Sequence, residues 1–339
     1  MRSLRILVLL HPDLMPPESI AGTTAKERLP WISLFHVISQ LREIGHEVKV
    51  LGVQWELAPI RHEVNDWKPH VVFNLLEEFY GMVEFDQHVV AYLELLKVPY
   101  TGCNPRGLVI ARGKALSKKL VGYHRVRTPA FQTVPRGKAA RPPKNGSFPF
   151  IVKSLTADSS EGISQASIVD DLDALRERVA FIHDSIGTDA LVEEYIAGRE
   201  IYCAVLGNDR LKVFPPWEIT FQNLPAGSIP IATAKAKHDP EYQEKIGLVQ
   251  HRAEGLDPKA VERIVRTTKR IYRTLEITGY ARIDYRLRED GMLYFLEANP
   301  NPDIGRDEEF ACSAAEDGMS YAQVIQKIVA LGLARGARG

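Results

Sequence analysis

The sequence lacks the features that define several large classes of protein. Its 339 residues include three cysteines, Cys103, Cys203 and Cys312, which lie far apart and show no metal-ligand spacing. A sparse, odd set of cysteines argues against a disulfide framework and suits a reducing compartment. Lysine plus arginine and aspartate plus glutamate both number 43, so the formal net charge is zero. This balance argues against a nucleic-acid-coating or polybasic membrane protein.

Long apolar runs and glycine-rich nucleotide motifs are also missing. No stretch approaches the roughly 20 apolar residues of a membrane span. The run from Leu4 to Leu10 is too short for a signal peptide and is interrupted by Arg5, so we interpret it as a buried strand. Neither GxGxxG nor GxxxxGK[ST] occurs. We therefore expect a cytoplasmic protein that binds neither nucleic acid nor membrane.

The order of the elements in the first third predicts a parallel sheet. Apolar strands are expected at Arg5–Leu10, Glu47–Val53 and His70–Leu75. Helical spacing covers Trp31–Ile44, which Gly45 ends, and Asp86–Lys97. Strands that alternate with helices predict a doubly wound α/β sheet over about the first 110 residues.

Two alternating segments near the C-terminus predict a hairpin. Tyr280–Leu287 and Met292–Ala298 are rich in aromatic and aliphatic residues and flank Asp290-Gly291, a strong signal for a two-residue turn. With that turn, Asp284 faces Glu297, and the period-2 alternation places both on one side of the hairpin. Two opposed carboxylates destabilise a strand pair. A positive charge should therefore lie between them.

Two interpretations of this charge pattern are open. Arg282, predicted to face Asn299, is one candidate for the positive charge. The oxygens of Asp284, Glu297 and Asn299 also form a hard-ligand set that suits Mg²⁺. The same pattern fits a solvated hairpin face with a surface ion pair.

A second candidate for nucleotide contact is Lys153, which ends the predicted strand Phe148–Ser154. It is followed by the small, polar residues Ser159, Ser160 and Gly162. Such a loop can present backbone N–H groups to phosphate while the lysine supplies a point charge. A solvated strand end has the same composition, so this pattern is weak alone.

Taken together, the segments resemble the ATP-grasp superfamily and, within it, the D-alanine–D-alanine ligase branch. They are LELLKVPYTG (93–102), FPFIVKSL with DSSEGIS (148–164), LVEEYIAGREIYCAVLG (191–207) and GYARIDYRLREDGMLYFLEANPNP (279–302). The resemblance implies an ATP-grasp fold, α/β with an α+β ATP-binding half. Its expected parts are a Rossmann-like domain (1–113), a small central domain (114–196) and a C-terminal domain (197–339), with ATP held between the last two.

The resemblance also implies roles for individual residues in ATP binding. Lys237 would lie near the γ-phosphate, with Lys235 as a competing candidate, and Glu200 would bind the ribose hydroxyls. Lys114 lies in a basic stretch with Lys118, and the resemblance favours Lys114 as a phosphate contact. The remaining nucleotide contacts would be Lys153, Ser159, Ser160, Glu193, Glu194, Tyr195 and Ile196.

The same resemblance assigns the metal site and the reaction. Asp284, Glu297 and Asn299 match the metal ligands, and two Mg²⁺ ions are expected, with Mn²⁺ as a possible substitute. Arg282 matches an arginine that stabilises charge at the tetrahedral centre. The implied reaction activates a carboxylate as an acyl phosphate, which an amine attacks to form an amide.

The substrate-binding half departs from the family pattern at its N-terminal end. The glycine-rich loop that carries a substrate-binding glutamate is replaced by residues 11–28, where Glu18 is a candidate for that role. The HGxxGEDG segment is replaced by residues 74–86, where Glu77 or Glu78 could meet a substrate cation.

A second departure follows Asn299. The family binds the acceptor's carboxylate with a small glycine-bearing turn and a serine loop, but here residues 300–303 (PNPD) take that place. Asp303 is anionic where a carboxylate would bind. Either Arg306 or Ser313 compensates, or the acceptor carries an amine instead.

The resemblance therefore predicts an ATP-dependent carboxylate–amine ligase with an altered substrate. Its partners would be small amino acids, peptides or amines, and a homodimer is a family expectation. The alternatives are a true D-alanine–D-alanine ligase of cell-wall synthesis, a phosphotransferase that stops at phosphorylation, and an ATP-binding regulatory module without turnover.

Overall fold

The computed structural model describes residues 3–156 and 162–336, apart from the side chains of Lys237 and His238. The strands are β1 (Arg5–Leu10), β2 (Glu47–Gly52), β3 (Val71–Asn74), β4 (Phe131–Val134), β5 (Phe150–Ser154), β6 (Ile168–Val169), β7 (Ala190–Glu194), β8 (Arg199–Leu206), β9 (Lys212–Val213), β10 (Trp217–Phe221), β11 (Leu248–Arg252), β12 (Tyr280–Leu287) and β13 (Leu293–Pro300). The helices are α1 (Ala25–Arg28), α2 (Ile32–Glu43), α3 (Ala58–Asp66), α4 (Asp86–Leu95), α5 (Pro105–Arg112), α6 (Lys114–Tyr123), α7 (Leu172–Phe181), α8 (Ala234–His238), α9 (Pro240–Ile246), α10 (Pro258–Thr274), α11 (Glu309–Glu316) and α12 (Tyr321–Gly336).

The N-terminal sheet is parallel, as predicted, with the order β2-β1-β3. Residues 6–10 of β1 are fully buried, because helices cover both faces of such a sheet. Gly45 ends the helix α2 by adopting a φ of +97°, which a side chain disfavours. The carboxyl ends of β1 and β3 meet at one edge, which brings His11 and Asn74 together there.

The central sheet is antiparallel in the order β4-β7-β5-β6 and has its own core against α7. The sequence predicts an amphipathic helix over Val169–Ile186, and this start is too early. The Asp171 side chain accepts a hydrogen bond from the Ala174 N–H at 2.8 Å and so caps α7, which starts one residue later. A single π-helical turn, Ile182–Ile186, continues α7.

The C-terminal sheet has the order β11-β10-β8-β12-β13, with β9 paired to β8. One face packs against α10 through Ile264 and Ile271, and its core continues into the N-terminal domain, where Leu7 and Val72 belong to the same cluster. The three sheets fall within the three ranges predicted as domains, and the boundaries themselves stay a prediction. Among the described helices, none combines the length and the apolar character that a bilayer span requires.

The β12–β13 hairpin has the predicted pairing near the site but not the predicted turn. Its loop spans three residues, because the Arg288 N–H donates to the Met292 carbonyl and Gly291 adopts the left-handed conformation. The longer loop shifts the register by one residue, and a bulge at Leu296 shifts it back. The predicted two-residue turn is therefore wrong, whereas the pairing of Asp284 with Glu297 is confirmed.

Candidate active site

A row of polar side chains crosses one face of the C-terminal sheet. Asp284 on β12 lies between Tyr202 on β8 and Glu297 on β13. Arg282 and its partner Asn299 lie two residues along the same strands, so alternation places them on the same face. The predicted metal ligands therefore come together on one surface.

Asp284 is the centre of a hydrogen-bond network. Its Oδ1 accepts from Arg282 Nε at 2.8 Å, and its Oδ2 accepts from Arg282 Nη2 and from Asn299 Nδ2, both at 2.9 Å. Arg282 Nη1 also donates to Glu309. Burial opposes charge on the guanidinium, but Asp284 and Glu309 outweigh it and raise the pKa of Arg282 well above its usual value. Arg282 is therefore a permanent cation at this face.

Glu200, the predicted ribose ligand, lies one row further along the same face. It accepts a hydrogen bond from the Tyr202 hydroxyl at 2.6 Å and pairs with Arg286 Nη2 at 2.7 Å. Arg286 also donates to the Gly198 and Pro230 carbonyls. These contacts fix the orientation of the Glu200 carboxylate before any ligand binds.

A second charged cluster lies in the central sheet. Glu193 on β7 is almost completely buried and pairs with Lys153 Nζ at 2.6 Å and with Lys118 Nζ at 2.9 Å. Lys153 on β5 is opposite Leu191, which places it diagonal to Glu193 on one face. Lys118 Nζ also donates to the Leu296 carbonyl, which the bulge in β13 has released from the ladder. Lys118 thus links the central sheet to the metal-ligand hairpin.

The protonation states of this cluster follow from the two lysines. Burial opposes ionisation of Glu193, but Lys118 and Lys153 outweigh it and hold the pKa of that carboxyl below its usual value. Burial also opposes charge on Lys153, yet Glu193 and Glu297 raise the pKa of its ammonium group. For Lys118 burial prevails, and its pKa is lowered. The Glu193 carboxylate is therefore ionised beside the Lys153 ammonium group.

The structure brings Lys118, a neighbour of Lys114 in the basic stretch, to Glu193 beside Lys153. The phosphate contact of Lys114 stays a prediction. Both residues lie on α6, but Lys118 is the one that reaches Glu193. Lys114 opens the helix one turn earlier, at its first residue. The basic stretch contains both lysines, and the position of α6 relative to β7 brings Lys118 to Glu193. The sequence contained one signal that Lys118 is buried: its helical spacing with Ser117 and Val121 places all three on one face of α6.

The remaining predicted nucleotide contacts lie around the end of β7. Glu194 accepts a hydrogen bond from Ser147 Oγ at 3.2 Å, the Tyr195 ring lies 5.5 Å from the Arg286 guanidinium, and Ile196 is buried. Glu193 itself is internal to the sheet, so its carboxylate is not an exposed group. Ser159 and Ser160 lie outside the described residues, as does the side chain of Lys237.

Lys235, the competing candidate, is exposed on α8. It lies 3.9 Å from Asp239 and 4.6 Å from the Tyr242 ring. The choice between Lys235 and Lys237 stays open.

The loop after β13 carries Asp303, and neither expected compensating residue reaches it. Asp303 is exposed and accepts hydrogen bonds from Ser33 Oγ at 2.8 Å and the Gly305 N–H at 2.7 Å. Arg306 instead contacts the Tyr321 ring and Gln40, at 5.2 and 3.4 Å. Ser313 is buried and donates to the Phe310 carbonyl.

Two further carboxylates that sequence reasoning missed lie beside this loop. Glu309 opens α11 and contacts Arg282, and Glu308 precedes it. Burial, then Asp303 and Glu309, raise the pKa of Glu308 to about 8. Asp303, Glu308 and Glu309 form an acidic cluster that reaches Arg282 through Glu309, and Glu308 keeps its proton at neutral pH. In the sequence, this cluster is indicated only by the acidic pair Glu308-Glu309 in front of an apolar helix.

The N-terminal candidates lie at the carboxyl edge of the parallel sheet or before α1. Glu78 pairs with His11 Nε2 at 3.4 Å. Burial is the main cause of a raised pKa of Tyr280, and the charges of Asp303 and Glu77 add to it. Glu18 is exposed in the irregular segment before α1.

The donor set at the hairpin fits a hard divalent cation. Two directly opposed carboxylates and an amide oxygen match the oxygen ligands of Mg²⁺, which leaves further positions to water and phosphate. Over the described ranges, no group of three or more His, Cys, Asp or Glu side chains could hold a metal. The candidate set differs from such a group because its third ligand is Asn299.

A central lysine strand, an ordered hinge and an acidic hairpin across a cleft define the ATP-grasp class. Comparison with known sequences is more specific. The family model described as "D-ala D-ala ligase C-terminus" matches residues 117–330. The D-alanine–D-alanine ligase of Desulfotalea psychrophila is 30% identical over 269 residues, covering 77% of this chain and 79% of that protein. "Uncharacterized protein y4sG" of Sinorhizobium fredii is 31% identical, covering 86% and 85%. The chain belongs to the D-alanine–D-alanine ligase family.

Solved structures share the fold over the whole chain. The D-alanine–D-alanine ligase of Bacillus anthracis complexed with ATP has a TM-score of 0.73 and 20% identity, covering 99% of both chains. The VanG D-Ala:D-Ser ligase of Enterococcus faecalis has a TM-score of 0.70 and 21% identity, covering 98% of this chain and 100% of that one. These likenesses establish the fold. With family membership, they make the protein a D-alanine–D-alanine ligase-like, ATP-dependent ligase that forms C–N bonds.

Proposed function

We propose that the protein joins a small carboxylate to an amine acceptor that carries no carboxylate of its own. Apart from its reacting amine, this acceptor is neutral or cationic. The observation that carries this proposal is the acidic cluster beside Arg282. It lies next to the predicted metal ligands through the Arg282–Glu309 contact. The phosphate-binding, metal-binding and acceptor-binding roles below belong to the same proposal.

At the nucleotide end, Lys118 and Lys153 would bind the phosphates of ATP. Glu193 offsets part of their charge while holding both ammonium groups on one side of the cleft, 2.9 and 2.6 Å from its oxygens. A preorganised pair of lysine side chains requires little rearrangement when phosphates arrive, which favours charge stabilisation during transfer. Glu200, oriented by Tyr202 and Arg286, would accept the ribose hydroxyls.

Asp284, Glu297 and Asn299 would hold magnesium. When bound, the ion supplies positive charge that offsets the charge on the transferring phosphoryl group. Lys153 lies close enough to Glu297 for each to stabilise the other's charge. This proximity supports a site in which the metal and the lysines act on the same phosphates.

The reaction divides between these residues in two steps. The carboxylate oxygen takes the γ-phosphoryl group and ADP leaves; the amine then attacks the acyl carbon and inorganic phosphate leaves. The guanidinium of Arg282 has five N–H donors, and the network uses three of them. The other two could donate to the oxyanion that forms during attack.

The acceptor end supports the change of substrate. Arg282 already pairs with Asp284 and Glu309, and Glu308 shares a hydrogen bond with Glu309 and lies near Asp303. A carboxylate placed there would meet like charge in a partly desolvated region, which costs free energy. A primary amine or a second ammonium group would instead find acceptors. Because relatives are named D-alanine–D-alanine ligases, a true D-alanine–D-alanine ligase is the second candidate.

An acceptor screen tests this proposal. ADP release would be measured with ATP, Mg²⁺ and a panel of carboxylates, and each acceptor would be offered with and without its carboxylate, for example D-alanine against D-alanine amide. We expect the amide and diamines to give faster turnover, with an amide product in mass spectrometry. Faster turnover with free D-alanine would overturn the acceptor assignment. If the rate of ADP release were the same with every acceptor and without one, ligation itself would be overturned. The expected homodimer and cytoplasmic location can be tested by light scattering and by fractionation.

A further inference from the structure

A cavity of about 310 Å³ lies behind the metal-ligand hairpin. Tyr285 and Phe295 form part of its wall, and both belong to the face of the hairpin opposite Asp284. The loop after α6, one side of α10 and the hairpin turn complete it. Its volume is at the lower end of the range of small-molecule sites.

Four arginines line this cavity. Asp290 also lines it, but its carboxylate pairs with Arg288 at 3.0 Å and accepts from the Met292 N–H at 2.9 Å. The excess of positive charge is local, because the whole chain is neutral. The arginine pocket is formed by Arg125, Arg127, Arg263 and Arg270.

Within the described ranges, three of these arginines make few or weak hydrogen bonds to the protein through their guanidinium groups. Arg263 Nη2 donates to the Gly291 carbonyl at 2.6 Å, while its Nε is buried without a hydrogen-bond partner in the part of the chain described. Arg127 Nη1 meets the Met292 thioether at 3.1 Å, and Arg270 Nη1 meets the His124 carbonyl at 3.4 Å. A buried donor without an acceptor costs free energy, which an oxyanion would recover.

Isolated surface arginines are usually solvated, but these four share a concave surface with a buried aromatic wall. Guanidinium groups bind phosphate with two parallel hydrogen bonds each. We propose that the arginine pocket is a second ligand site, separate from the nucleotide cleft, that binds a small molecule bearing phosphate groups. The site does not depend on which carboxylate or amine the enzyme joins.

Calorimetry with inorganic pyrophosphate tests this site on the full chain. The nucleotide cleft is first saturated with a non-hydrolysable ATP analogue and excess magnesium, so that Lys118 and Lys153 are occupied. We expect one saturable binding event. In the double variant Arg127→Ala/Arg270→Ala, we expect the affinity to fall by about tenfold or more, since each lost charged hydrogen bond weakens binding substantially.

The matched control removes the same charge from the same surface. Arg266 and Arg273 are exposed on α10 and do not line the cavity. The double variant Arg266→Ala/Arg273→Ala should therefore keep the wild-type affinity. No saturable event in the wild type, equal losses in both variants, or tighter binding of citrate than of pyrophosphate would each overturn the proposal. Hydrogen exchange on the wild type gives a readout that needs no variant: pyrophosphate should protect residues 125–127 and 290–293.

Discussion

The two ends of the cleft carry opposite excesses of charge. At the nucleotide end, Lys118 and Lys153 share the single buried carboxylate of Glu193. At the acceptor end, Arg282 is shared between Asp284 and Glu309 while further carboxylates crowd beside it. The nucleotide end is therefore suited to bind a polyanion, and the acceptor end is suited to bind a cation.

Under the proposed function, this contrast lets a family fold keep its chemistry while its acceptor differs. Phosphoryl transfer from ATP needs positive charge in fixed places, which constrains the sheets that carry it. In the proposed function, acceptor recognition depends on the loop after β13, which packs against α2 through Ser33 and can vary without disturbing the sheets. Each prediction below alters one end and asks whether the other end is affected.

The largest effect is expected from Glu297→Gln. The substitution keeps the shape of the side chain but removes a charge from the metal site, so Mg²⁺-dependent turnover should fall by about a thousandfold. ADP release at varied magnesium concentration measures it, with the melting temperature as a check on the fold. Glu289→Gln, an exposed residue of the hairpin turn, is the control. Wild-type turnover in Glu297→Gln would refute the metal assignment.

A smaller effect distinguishes the lysines of α6. Lys118→Ala should weaken binding of an ATP analogue by about tenfold to a hundredfold, because it removes a charge-assisted contact with phosphate. Lys153→Ala should do the same. Lys119→Ala, on the exposed side of the same helix, should leave the dissociation constant unchanged. If Lys114→Ala weakens binding while Lys118→Ala does not, the choice made from the family pattern is the right one.

Asp303→Asn tests the acceptor end. The amide can keep the hydrogen bond from the Gly305 N–H while the negative charge is lost. Turnover with D-alanine should rise several-fold relative to D-alanine amide, since a like-charge contact is worth about 1 kcal/mol or more. Asp307→Asn in the same loop is the control. An unchanged ratio of the two acceptors would show that Asp303 does not face the acceptor, while ATP affinity should be the same in all three proteins.

The two ends also differ in how far the sequence could predict them. Asp284 and Glu297 were predicted as partners because period-2 alternation is a local property of strands. Their register was nevertheless correct for a wrong reason: a longer turn and a bulge at Leu296 cancel. The dipeptide Asp290-Gly291 predicts neither the longer turn nor the bulge, because bulges depend on contacts such as that of Lys118 with the Leu296 carbonyl.

The acceptor end depends on contacts between distant segments, which no local pattern records. Asp303 is held by Ser33, 270 residues earlier, and Arg306 is drawn to Gln40 and Tyr321. The sequence indicated that Arg306 or Ser313 could balance Asp303, but their actual partners belong to other elements. Likewise, Lys118 was present in the predicted basic stretch, and only the docking of α6 brings it to Glu193. Tertiary packing therefore determines these contacts.

The smallest expected effect concerns the pH dependence of stability at the acceptor end. The pKa of Glu308 is raised from 4.5 to about 8, mainly by burial. The folded state therefore binds a proton that the unfolded state releases, so stability should decline as the pH rises from about 5 to about 8. Glu308→Gln, which cannot ionise, should flatten this decline, whereas the exposed Glu262→Gln should not. Melting temperatures measured across this range decide between them, and parallel curves for wild type and Glu308→Gln would show that the acidic cluster is not crowded. ATP affinity should be unaltered in Glu308→Gln, because Lys118 and Lys153 act at the other end of the cleft.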